Sequence, residues 1–361
     1  MLWPMKRRHF LWTLAAAPTQ LCAQTEVIAP RALVFPADFG AHPGARTEWW
    51  YLTGALQAGE RLYGFQVTFF RSRTGLAEGN PSRFAAQQLV FAHAALSDVQ
   101  SARQLHDQRI ARAGFGIAEA AEGDTRVRLR DWSLQREGPP AASRYRTQVL
   151  SESAGFQLDL TLAASQPVLL QGMGGYSRKG PQPGVATHYY SQPQLAASGT
   201  LTLQGRASDV QGRAWLDHEW SNTLLDPQAV GWDWIGMNLD DGGALTAFRL
   251  RRSDGSTLYA GGSLRAPGGV VRNFEPGDVR FTPSRHWQSP ASQARYPVQW
   301  SIETPAGRHT VRALFDAQEL DSRNSTGAFY WEGLSELLDE REQRIGRGYL
   351  EMTGYAGTLR L

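Results

Sequence analysis

The 361-residue chain has 37 basic and 34 acidic side chains, a formal charge of +3, and Cys22 as its single cysteine. Lys6, Arg7 and Arg8 carry the whole excess: 37 less 3 leaves 34 basic groups against 34 acids, which argues against nucleic acid as a partner. One cysteine excludes an internal disulfide and a multi-cysteine metal site.

The chain opens with a basic stretch, Lys6-Arg7-Arg8-His9, followed by Phe10-Leu11-Trp12, a short apolar run through Ala17, and a small-residue end at Ala23. This order predicts an export signal peptide over residues 1–23, and Arg7-Arg8 followed by Phe10-Leu11 is of the twin-arginine type. The apolar run is too short to span a bilayer. Leu21 stands where acylation of Cys22 would need a small residue, so cleavage after Ala23 is expected instead. A bacterial periplasmic or secreted location follows, with an inner-membrane exporter as partner and no transmembrane span in the mature chain.

Period-two alternation then dominates. Tyr63, Phe65, Val67 and Phe69 alternate with Gly64, Gln66 and Thr68, and similar runs fall at 155–163, 200–205, 244–251 and 298–304. Short strands parted by Gly, Pro, Asp and Ser clusters predict an all-β chain of antiparallel sandwiches or barrels. A short helix is expected over 333–342. The length predicts two domains, and the Gly/Pro-rich stretch 172–193 places their boundary near residue 195, giving 30–194 and 195–361. Glu48-Trp49-Trp50-Tyr51 leading to Arg71, and Asp233-Trp234 leading to Arg249, form a faint internal echo.

The richest segment is Asp217-His218-Glu219-Trp220, followed by Trp232-Asp233-Trp234. Indoles beside acids suggest an apolar pocket with proton-handling groups in its wall. On a strand, Asp217 and Glu219 share one face and His218 and Trp220 the other. His218 is then a candidate proton donor, against the plainer reading of a core histidine whose neighbouring acids bind arginines. Trp49, Trp50 and Tyr51 after Glu48 could wall a site for a cationic transition state or simply plug a barrel. Arg71 and Arg249 are expected to pair with Glu48 and Asp233. His93 reads as a buried structural histidine, and Tyr190 and Tyr330 supply further rings and hydroxyls. No G-x-S-x-G elbow occurs, and Asn222 stands where a zinc-protease motif would need its second histidine. No metal or cofactor is expected.

Several motifs occur in order along the chain: Glu48-Trp49-Trp50-Tyr51, Tyr63-Gly64-Phe65-Gln66, Tyr189-Tyr190-Ser191, Trp215-Leu216-Asp217-His218-Glu219-Trp220, Gly231-Trp232-Asp233-Trp234, Tyr330-Trp331-Glu332-Gly333 and Gly348-Tyr349-Leu350-Glu351. This series resembles the lipocalin-like family that includes carotenoid 1,2-hydratase (hydroxyneurosporene synthase), often labelled predicted secreted hydrolases. The resemblance implies two tandem calycin-type antiparallel β-barrels with an apolar ligand cavity near their junction. It also implies cofactor-free addition of water to a carbon–carbon double bond of an isoprenoid or lipid-like molecule. On that reading His218, Asp217, Glu219, Asp233 and Glu48 are the catalytic candidates. Trp220, Trp232, Trp234, Trp49, Trp50, Tyr51, Tyr190, Tyr330, Arg71 and Arg249 would surround the substrate. A non-catalytic carrier of a hydrophobic ligand, a lipid hydrolase, and a scaffold paired with an exporter are the alternatives.

Overall fold

The computed structural model describes residues 28–76, 79–82, 84–223 and 225–357; the expected signal peptide lies outside them. Among these residues the regular elements are β-strands joined by turns and loops, with three single 3-10 turns at Ala37–Phe39, Pro140–Ala142 and Pro276–Asp278. No helix there is long and apolar enough to cross a membrane. The helix expected over 333–342 is absent: Phe329–Leu338 is a strand that turns into Arg344–Met352. Trp331 and Leu337 pack in one core while Leu334 packs in another, so burial on both faces overrides the helix-forming composition.

The strands form two antiparallel sheets of thirteen and ten strands. The first centres on Thr47–Ala58, flanked by Arg61–Arg73 and Arg206–Ser221, with Ala186–Leu203 next to the latter. Its ends approach each other: Gly114, just past Arg103–Arg112, forms a bridge with Ala118 on Ala118–Ala120, the strand at the opposite edge. In the second sheet Gly231–Leu239 lies between Ala244–Arg251 and Arg344–Met352, with Phe329–Leu338 beyond. The sheets change between Ser221 and Gly231, not near residue 195, which lies inside Ala186–Leu203. Pro193, which has no N–H for the ladder, is absorbed by a register shift between Gln192 and Leu195.

Each sheet wraps its own core, one containing Phe65, Trp132 and Tyr145, the other Tyr296, Trp300 and Trp331. Burying each such ring contributes roughly 1.5–3 kcal/mol. A third apolar cluster, including Tyr51, Trp215, Trp234 and Tyr349, joins the outer faces of the two sheets. Polar ties cross the same junction. Gln194 N donates to Asn238 Oδ1 at 2.7 Å, and Ser97 Oγ donates to Gln318 Oε1 at 3.0 Å.

Candidate functional site between the two sheets

Strand alternation divides the predicted site residues among three places. On Thr47–Ala58, Trp49 and Tyr51 face the second sheet, whereas Glu48 and Trp50 point into the first barrel. On Arg206–Ser221, Asp217 and Glu219 face the second sheet, whereas His218 and Trp220 point inward. On Gly231–Leu239, Trp232 and Trp234 face the first sheet, whereas Asp233 points into the second barrel beside Arg249.

Between the sheets lies a cavity of about 110 Å³, several times what one water needs. Trp49, Tyr51, Phe70, Trp232, Trp234 and Phe248 give it an aromatic wall. Asp217, Glu219, Glu332 and Glu351 project into that wall with one cation, Lys179. Trp49, Phe70, Leu225 and Trp232 are partly exposed and mark its mouth.

The acids differ in their surroundings. Glu219 pairs with Lys179 Nζ at 3.0 Å, and the ammonium also sits over the rings of Tyr189 and Phe248. Asp217 accepts from Tyr189 Oη at 2.8 Å, Ser191 Oγ at 2.5 Å and Trp215 Nε1 at 2.7 Å. Burial nonetheless pushes the Asp217 carboxyl up to about 7. Glu332 and Glu351 are cross-strand partners. Burial first, and the neighbouring Glu351 second, raise Glu332 well above the carboxylate range. Burial likewise raises Glu351 to about 8, against a 3.1 Å hydrogen bond from Trp232 Nε1. The Tyr51 and Tyr330 hydroxyls donate toward the Glu332 carboxyl and oppose part of its rise without overcoming burial. At the far end, Tyr330 Oη lies 2.9 Å from His93 Nδ1, and burial lowers His93 to about 3, leaving a neutral imidazole.

His218, Trp220, Trp50, Glu48, Tyr190 and Arg71 therefore do not line the cavity. His218 Nε2 donates to Glu48 Oε1 at 2.9 Å inside the first barrel, and burial lowers the imidazole to about 4. Arg71 Nε donates to Glu48 Oε2 at 2.7 Å. Burial opposes ionisation of Glu48, but the hydrogen bonds from His218 and His42 overcome it and hold the carboxyl below its usual range. In the second barrel Arg249 Nε donates to Asp233 Oδ2 at 2.7 Å, and Arg251 and Tyr355 add further contacts. The expected convergence of His218 and Asp233 on one hollow is thus corrected: adjacent residues on a strand point to opposite faces, and these two belong to separate cores.

The AttH-like family profile matches residues 26–355. The chain belongs to the AttH-like family. This AttH-like protein is 47% identical to a protein assigned as AttH from Nitrosomonas europaea, covering 91% of this chain and 99% of that one, with a TM-score of 0.84. It is similar in fold to kievitone hydratase from Nectria haematococca, at 14% identity over 89% of this chain and 92% of that one, TM-score 0.69. It is also similar to CghA crystallised with Sch210972, at 12% identity over 86% and 88% of the two chains, TM-score 0.53. No curated protein sequence matches the chain.

The AttH-like chain keeps in its cavity the predicted Asp217, Glu219, Trp49, Tyr51, Trp232, Trp234 and Tyr330. Sequence reasoning passed over Glu332, Glu351, Lys179 and Tyr189 as site residues. The two glutamates stood in the Tyr330-Trp331-Glu332 and Leu350-Glu351 motifs, where an acid one step from a large apolar residue was the available signal.

Proposed function

We propose that the inter-sheet cavity binds a hydrophobic, alkene-bearing small molecule of isoprenoid or lipid-like character, and that its buried carboxylic acids add water across the double bond. The observation that carries this reading is the facing pair Glu332 and Glu351, which burial keeps protonated in an aromatic chamber. A carboxyl held neutral near pH 7 is a general acid. The pair would deliver a proton to one alkene carbon, forming a C–H bond and leaving a cation on the other. The indole faces of Trp49, Trp232 and Trp234 would stabilise that cation. Water would form the C–O bond and lose its extra proton to the carboxylate just generated, so the acid is restored. No other reactant is needed. The hydratase among the structural relatives agrees with this chemistry. On the same proposal the leader delivers the protein to the periplasm, where it meets its ligand.

The test is incubation of the purified protein with a panel of isoprenoid alkenes in water enriched in ¹⁸O, read by mass spectrometry. One labelled oxygen in the product, lost in Glu351→Gln, supports the reading. Ligand uptake with no label, equal in wild type and variant, would overturn catalysis in favour of a carrier.

A further inference from the structure

A second polar cluster lies inside the first barrel, on the opposite face of the same strands from the cavity. His42 Nδ1 is 2.7 Å and His218 Nε2 is 2.9 Å from one oxygen, Glu48 Oε1. The three ligand-type atoms all lie within 4.8 Å of one another. The other carboxylate oxygen is held by Arg71 Nε at 2.7 Å and His42 N at 2.9 Å, and the same His42 N–H also reaches Oε1 at 3.1 Å beside the two imidazoles.

The remaining ring nitrogens are also engaged. His42 Nε2 is 2.9 Å from Asp38 Oδ1, and Asp38 is itself fixed by Arg31 Nη1 at 2.8 Å. His218 Nδ1 is 3.1 Å from the Tyr190 hydroxyl. Outer partners of this kind fix the tautomer and raise the basicity of metal-bound histidines. Indoles hold the ring planes: Trp220 stacks on His42 at 3.7 Å and Trp50 on His218 at 4.6 Å. His218 and Glu48 are sealed in, whereas the His42 side chain is 18% exposed and so offers an entry path.

We propose that His42 Nδ1, His218 Nε2 and Glu48 Oε1 form a binding site for a divalent transition-metal ion, with zinc the best match to two imidazoles and a carboxylate. Zinc bonds of ~2.0–2.1 Å at tetrahedral angles set ligand atoms about 3.3 Å apart. The present spacings of 2.7 and 2.9 Å must therefore open by roughly half an ångström around an ion. His42 precedes the first strand and so lies outside the ladder in which Glu48 pairs with Trp220 and Trp50 with His218. On binding, the His218 proton passes to Nδ1, where the Tyr190 oxygen accepts it. The proton on His42 Nδ1 leaves to solvent, and His42 Nε2–H donates to Asp38. Three protein ligands leave a coordination position for water or an anion. This site is independent of the cavity proposed for the organic ligand.

The experiment uses the full chain, freed of metal by a chelator and titrated with zinc by calorimetry and with cobalt by visible absorption. Expected are saturable 1:1 zinc binding, a raised unfolding temperature, and cobalt bands of low coordination number. His42→Ala should remain folded by circular dichroism and lose the binding, and Asp38→Asn should weaken it by roughly 10- to 100-fold. Wild-type protein that binds neither ion, as a purely structural relay of ion pairs would, overturns the proposal. So does zinc binding that is unchanged in His42→Ala or, should that variant unfold, in His42→Gln.

Discussion

Glu332 and Glu351 stand directly opposite each other on the antiparallel strands Phe329–Leu338 and Arg344–Met352, and both point into the cavity between the sheets. Cross-strand partners bring their Cβ atoms to about 4.5–5.5 Å. Two negative charges at that spacing in an aromatic chamber would repel with little solvent to screen them. The pair stays protonated instead, and its two members titrate as one unit.

Stability should therefore fall as the pH rises. Between the ordinary glutamate value of 4.5 and about 8 for Glu351, the folded state holds more protons than the unfolded chain. The contribution of the pair is fully present below the lower value and is lost through the upper one. Denaturant titrations from pH 7 to 9, above the range in which the buried His93 and His218 add stability as the unfolded chain loses protons, should show this decline in wild type and a flatter profile in Glu332→Gln/Glu351→Gln. A wild-type profile that rises across this range would remove the basis for a buried acid pair.

The same pair governs turnover under the proposed chemistry. Glu351→Gln retains a neutral polar group but transfers no proton, so the hydration rate should fall by roughly 100- to 10,000-fold. Ligand affinity, followed by quenching of the cavity tryptophans, should change little. A large loss of affinity with an unaltered rate would instead make Glu351 a binding group.

The strand pattern was legible in the sequence because Tyr63 to Phe69 alternate strictly, and alternation also separated Asp217 and Glu219 from His218 and Trp220. It did not reveal which face looks into a cavity, since both faces of these strands are buried and no polar outer face marks the outside. Glu332 and Glu351 acquire meaning only through a register between two strands that neither motif discloses. The Gly/Pro-rich stretch 172–193 resembled a linker because the bulge at Pro193 uses the residues of a turn. At 333–342 Glu, Leu and Arg favour a helix locally, and the two-sided packing of Trp331 and Leu334 decides against it.

Asp233 tests the second barrel separately from the site. It is fully buried and accepts from Arg249 and Tyr355, with Arg251 Nε at 3.1 Å. Asp233→Ala would strand two buried guanidiniums and should cost about 3–5 kcal/mol of stability. Ligand affinity measured well below the unfolding midpoint should be retained. If affinity is lost in the folded variant, Asp233 acts on the cavity and not on its own core alone.

Gly64 lies at a close approach of the two sheets. A Cβ there would come within 2.7 Å of Tyr349 Oη and 2.9 Å of Leu334 Cβ, both on the second sheet. Gly64→Ala should push the sheets apart and destabilise the chain by roughly 1–3 kcal/mol. The cavity shares this junction, so ligand affinity should weaken as well. Unchanged stability and affinity would show that the two sheets are not packed as described.

Trp232 gives a prediction of opposite sign to most cavity variants. Its Nε1–H donates to Glu351 Oε1 at 3.1 Å, a bond that favours the carboxylate and partly offsets the upward push of burial. Trp232→Phe keeps an aromatic face but removes the donor. The acid pair should then hold its proton to higher pH, moving the alkaline limb of the rate profile, and the pH at which stability is lost, upward together. A purely steric role for the indole would alter affinity and leave both pH profiles in place. A downward shift of the alkaline limb would show that Trp232 does not favour the ionised form of Glu351.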